Sequence, residues 1–97
     1  MTQFRVSKAL VRKGISPKKQ GLIFFACLNI NSLDEKSRQK ILNTCIEVGG
    51  EDYKALYRFL TDAYVNHAYI CHTYFISKER LFKIKREFYL RIAKNQE

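Results

Sequence analysis

Apolar side chains return every third or fourth residue through most of this chain, and that spacing favours helices over a sheet. Leu81, Ile84, Phe88 and Ile92 form one such stripe. Ile41, Cys45 and Val48, with Leu42 and Ile46 beside them, form another, and Tyr53, Leu56, Tyr57, Leu60 and Tyr64 a third. Residues three and four apart share one face of an α-helix, whereas a half-buried strand alternates. One Pro and four Gly among 97 residues leave little room for long structureless loops. A chain of this length holds one domain and one core.

Punctuation divides the pattern into elements. Residues 3–13 place Val6, Leu10 and Val11 on one face, with Arg5, Lys8 and Arg12 largely on another. They read as a helix stopped by Gly14, or else as a basic arm. Ser16-Pro17 supplies an N-cap and a proline for the first helical position. The helix that follows, to about Leu28, is apolar nearly all round and is expected at the centre of the core. Ser32-Leu33-Asp34-Glu35 has the form of a capping box with Ser32 at the cap. Gly49-Gly50 is expected to end the next helix with left-handed backbone at both glycines. Glu51 and Asp52 open a further helix at the end where acids favour the macrodipole. Asn66 then caps a short helix over residues 67–74, a tight turn follows at Phe75-Ile76-Ser77, and a last helix runs from Lys78 to about Lys94. The run YICHTYFI at 69–76 is rich in β-formers and could make a hairpin, but the helical spacing around it favours helix. The expectation is an all-α, compact bundle of about five helices in one domain, 1–97, with a helix-turn-helix-like unit at 66–94.

Charge narrows the function. The formal net charge is +9, which points to a polyanionic partner: DNA, RNA or an acidic membrane surface. Residues 1–33 hold six basic side chains and no acid, residues 34–65 sum to −1, and residues 66–97 sum to +4. The middle therefore reads as scaffold and the two ends as contact surface. Residues 1–15, with four basic side chains, are expected to add phosphate contacts.

Other chemistries find little support. Cys27, Cys45 and Cys71 are odd in number, form no CxxC pair and sit among apolar neighbours, so all three are expected to be reduced and buried. His67 and Cys71 could share a helix face, but their spacing to the remaining Cys and His fits no familiar metal site. No glycine loop, paired carboxylates or nucleophile–base set accompanies His67 and His72, so the chain reads as a non-enzyme without a cofactor. The longest apolar run, LIFFACL at 22–28, is too short to span a bilayer, and the N-terminus lacks a signal-peptide pattern. A cytoplasmic protein without a membrane partner is expected.

Residues 66–86 resemble a helix-turn-helix DNA-binding motif of the kind found in sigma-factor C-terminal regions, transposases and invertases, and small phage or mobile-element regulators. Cys71 takes the place of the small residue where two helices meet, Ile76 that of the apolar plug and Ser77 that of the cap. Leu81 and Ile84 correspond to the anchors of the second helix, while Phe75 stands where many such motifs have Gly. The resemblance implies double-stranded DNA as partner, with Ser77, Lys78, Glu79, Phe82, Lys83 and Arg86 toward the major groove. Arg5, Lys8, Arg12 and Lys13 are the expected phosphate contacts of the N-terminal segment. The outer face of the last helix, with Glu79, Arg80, Lys83, Arg86, Glu87, Arg91 and Lys94, would face the backbone at a balance of +3. The implied role is a small transcriptional or recombination accessory regulator. The competing expectation is a helical module that binds a protein partner or a second copy of itself.

Overall fold

The structure, a computed structural model, describes residues 4–95, and every helix but α4 begins at a side chain that caps it. After an extended stretch at residues 4–7 comes α1, Lys8–Arg12, whose Leu10 N–H bonds the Ser7 hydroxyl at 3.3 Å. Helix α2, Pro17–Leu28, is capped by Ser16 through the Lys19 N–H at 3.2 Å. Helix α3 spans Glu35–Gly49, α4 Tyr53–Thr61, α5 His67–Tyr74 and α6 Lys78–Asn95. Two short 3₁₀ turns, Ile30–Ser32 and Gly50–Asp52, lead into α3 and α4. Asn66 caps α5 through the Tyr69 N–H at 2.9 Å, and Ser77 caps α6 through the Arg80 N–H at 3.1 Å. Each of these side chains satisfies a backbone donor that a helix start leaves unpaired. Five helices of eight or more residues, with the short α1, make an all-α bundle without strands among the described residues.

The centre of the core is α6, not α2. Helix α6 packs against every other helix of the chain. Its Leu81, Ile84 and Phe88 are completely buried, as are Leu56 of α4, Cys45 of α3 and Ile70 of α5. Helix α2 buries Ile23, Phe24 and Cys27, but Leu22 is 64% and Phe25 54% exposed. An apolar circumference says only that burial is tolerated on all sides. The number of neighbours decides how much of it is covered, and α2 lies at the periphery.

Four local readings also change. The cap of α3 is Asp34, whose carboxylate accepts the Ser37 N–H at 2.8 Å, while Ser32 lies in the preceding 3₁₀ turn. Hydrogen bonding from the Ser37 side chain, and then from its N–H, holds the Asp34 carboxyl below its ordinary pKa. Of the two, only Gly50 is left-handed (φ 54°); Gly49 is right-handed and buried, and an added Cβ would stand in ordinary contact, 3.4 Å from that of Tyr53. Tyr64 lies past the end of α4 and is 89% exposed, outside the stripe it was expected to extend. The N-terminal helix is only five residues long and buries Leu10, whereas Val6 and Val11 are exposed; residue 3 lies outside the described residues.

The turn between α5 and α6 is carried by a side chain in an unfavourable conformation. Phe75 is left-handed (φ 54°) and 94% exposed. The Ile76 N–H then reaches back to the Cys71 carbonyl at 3.2 Å, the long bond of a Schellman-type stop. Ile76 is buried behind it. A Cβ in this region crowds the following carbonyl, which glycine avoids. Phe75→Gly is therefore expected to stabilise the fold by about 1 kcal/mol, since the exposed ring contributes little burial. Thermal unfolding of the two proteins checks this; a lower melting temperature for the glycine variant would show that the ring has a packing role.

Cys27 and Cys45 are buried free thiols, while Cys71 is only half-buried, against expectation. Burial pushes the Cys27 thiol up to about 12 and raises that of Cys45 as well. Among the described residues no helix is long and apolar enough to cross a membrane, and no three His, Cys, Asp or Glu side chains gather as metal ligands.

Candidate nucleic-acid interface

Helix α6 presents three differently employed flanks. With about 100° per residue and Leu81 at zero, Arg80, Glu87 and Arg91 fall at about 240–280°, toward α3. There Arg80 pairs with Asp52 at 3.3 Å and donates to the Gly49 carbonyl, and Arg91 pairs with Glu47 at 2.6 Å. Two of the five basic residues expected to face a phosphate backbone thus fasten α6 to its neighbours. The ions are partly exposed, so each pair contributes at most about 1 kcal/mol, but their positive charge is already matched. Sequence spacing could not show this, because the partner acids lie some 28 and 44 residues away.

The solvent-facing crown holds Arg86, Glu79, Lys83 and Lys94, at about 140–220° on the same wheel. All four are exposed. This crown keeps three bases against one acid, so the expected positive face survives in a narrower form. Ser77 precedes the first turn of α6, its hydroxyl engaged as the cap.

The third flank, at about 40–100°, carries Lys78, Phe82, Lys85 and Tyr89. It forms one wall of a groove of about 620 Å³. The facing wall is the N-terminal segment and α2: Phe4, Arg5, Val6, Ser7, Leu10, Gln20 and Phe24. Phe59, Asn66 and His67 close the rest. Of the sequence-predicted contact residues, Arg5, Lys78, Phe82 and Arg86 therefore share one groove, although more than seventy residues separate the first from the others. Ser77, the cap of α6, and Glu79 and Lys83 on that helix do not line it, and Lys8, Arg12 and Lys13 are exposed on or beside α1 away from its lining.

Phe82 is held as a packing residue. Its ring meets Phe59 edge-on at 5.8 Å and His67 at 5.6 Å, and it is only half-exposed. It can border a ligand in the groove, but it does not project into solvent as a probe of base edges. A lysine beside an apolar stripe commonly carries its charge outward to solvent, as Lys85 could. Instead its ammonium rests over the rings of Phe59, Phe82 and Tyr89 at 5.3, 5.8 and 6.0 Å. Desolvation there lowers its pKa below the ordinary lysine value.

The facing wall depends on a residue that sequence reading passed over. Gln20 is buried, and its amide oxygen accepts the Ser7 N–H at 2.8 Å. Its amide nitrogen donates to the carbonyls of Ser7 (3.2 Å) and Ile15 (3.0 Å). Phe4 adds a ring contact to Phe24 at 5.3 Å and to Phe25 at 6.3 Å. The Gln clasp and the Phe stack together set Arg5 opposite α6. No family model, curated protein or solved structure matches the chain.

Proposed function

We propose that this chain is a DNA-binding protein that holds duplex DNA with the crown of α6 and the cations beside it, in the manner of a helix-turn-helix unit formed by α5 and α6. The observation that carries this reading is the meeting of basic side chains from both ends of the chain. Arg5, Lys78 and Arg86 stand around one groove whose lining contains no acid. Lys83 and Lys94 continue the positive surface along α6. Cations gathered in this way attract a polyanion and release its counterions on contact. In the proposed complex Lys83 and Arg86 donate to guanine or to phosphate, Glu79 accepts from cytosine, and Lys8, Arg12 and Lys13 contact the backbone. The biological role that goes with this geometry is that of a small transcriptional or recombination accessory regulator of a phage or mobile element, as the resemblance over residues 66–86 implies.

A protein-binding module is the second reading, and it is favoured by the exposed Leu22 and Phe25 on α2. Titration of the protein with random-sequence duplex DNA at two salt concentrations separates the two. Binding that weakens with salt, by a log–log slope of about 0.9 for each phosphate neutralised, is the expected result. Absence of binding at low salt would end the DNA reading and leave the protein-binding one.

A further inference from the structure

The groove holds more than a nucleic-acid backbone needs. Lys85 lies in its α6 wall among aromatic rings, and among the described residues no carboxylate pairs with it. The three rings offset part of the cost of taking this lysine out of water, and the ammonium has no counter-anion of its own. Arg5, Lys78 and Arg86 stand at the same groove. The same groove is lined by Phe4 and Phe24, with ring centroids 5.3 Å apart. The groove is thus an anion site with an aromatic side, and its volume of about 620 Å³ lies within the usual range for small-molecule sites.

We propose that this groove seats one unpaired, phosphorylated nucleotide at the end of a bound strand, its phosphate at Lys85 and its base along the Phe4–Phe24 wall. The inference rests on the nucleic-acid reading above and deepens it. A base inside a duplex must first be unpaired and unstacked, at an energetic cost, before it can turn to a protein wall. A strand end can present base and phosphate together, and a terminal phosphomonoester brings nearly twice the charge of a backbone diester. The positive crown of α6 adjoins the groove through Arg86, which belongs to both, so the rest of the strand continues onto that surface. A free nucleotide would leave the crown unused.

The test compares a blunt duplex with the same duplex carrying a short 5′-phosphorylated thymidine overhang, each titrated by fluorescence anisotropy. The overhang is expected to bind about tenfold more tightly, the scale of one or two charge-assisted hydrogen bonds. Lys85→Met keeps an unbranched stem on the three rings and removes the charge. It should abolish that preference while melting no lower than the parent. If it fails to fold, Lys85→Gln, which removes the charge but keeps a polar end at the groove, reads the same loss. Equal binding of blunt and overhang duplexes would overturn this inference and leave the DNA reading standing, as would an unchanged preference in both variants. Displacement of the overhang by thymidine 5′-monophosphate or by an acidic peptide as readily as by a phosphorylated oligonucleotide would also overturn it. Failure of both duplexes to bind at low salt would overturn the two readings together.

Discussion

Leu81→Ala is expected to remove about 2–5 kcal/mol of stability, the range for truncating a fully buried leucine. A domain of this size has only about 5–10 kcal/mol in all, so the variant should be partly unfolded on gentle warming. The cost is at the high end because Leu81 lies on α6, the helix that touches all the others, and has no exposed surface through which the site could relax. Lys83→Ala and Arg86→Ala change exposed side chains on the opposite side of the same helix and should shift stability by less than about 0.5 kcal/mol. In DNA binding the order reverses. Below its melting temperature Leu81→Ala should bind in proportion to its folded fraction, whereas Arg86→Ala should lose about 1–3 kcal/mol if the side chain reads a base bidentately. Contact with phosphate would show instead as a loss common to all sequences, with a smaller salt slope. Thermal unfolding and duplex titration of the three variants form the measurement. Parental affinity in Lys83→Ala, Arg86→Ala and their double variant, for every duplex tried, would remove α6 from the interface.

The helix starts were legible because capping is local. Ser16, Asn66 and Ser77 each bond an N–H three residues ahead, and nothing distant is needed to place them. Ser32 and Asp34 show where that stops. Both are good caps two residues apart, and the 3₁₀ turn that buries Ile30 uses the first of them up. Burial of α6 was legible too, since Leu81, Ile84, Phe88 and Ile92 form a clean stripe and all are buried. Helix α2 was not, because an apolar residue at every angle gives no direction to read. Its exposed Leu22 and Phe25 follow from its position at the edge of the bundle.

The candidate site divides along the same line. That basic side chains crowd the two ends of the chain is visible in the charge profile; that Arg5 and Arg86 border a single groove depends on the path of the chain between them. The same dependence explains Arg80 and Arg91, whose places on an outward-looking wheel gave no sign of Asp52 and Glu47 on the neighbouring elements. Lys85 sits about 40° from the core direction, close enough that its stem had to be buried, and the rings that receive its charge come partly from α4. Nothing in the pattern around Gln20 marked it, since a lone glutamine on a helix is ordinarily a surface residue.

Gln20→Ala is expected to cost about 2 kcal/mol and to weaken DNA binding as well. The amide makes three hydrogen bonds that tie residues 7 and 15 to α2. Its removal leaves the Ile15 carbonyl without that donor, and a buried polar group left unpaired costs about 1–3 kcal/mol. The Ser7 groups can recover water if the segment lifts away, which limits the stability loss but releases Arg5 from its place opposite α6. The binding loss should therefore resemble that of Arg5→Ala, and the two changes should not add: once the segment is loose, removing the guanidinium takes away little more. Gln20→Glu gives a finer reading, since it keeps the acceptor for the Ser7 N–H but sets a carboxylate against two carbonyls and brings a negative charge to the groove. It should bind DNA less well than Gln20→Ala. Duplex titration of Gln20→Ala, Arg5→Ala and the double variant, with melting temperatures for each, is the measurement. Fully additive losses in affinity would mean that Arg5 acts without the clasp. An unchanged affinity in Gln20→Ala would mean that residues 4–7 hold their place through Phe4 and Leu10 alone.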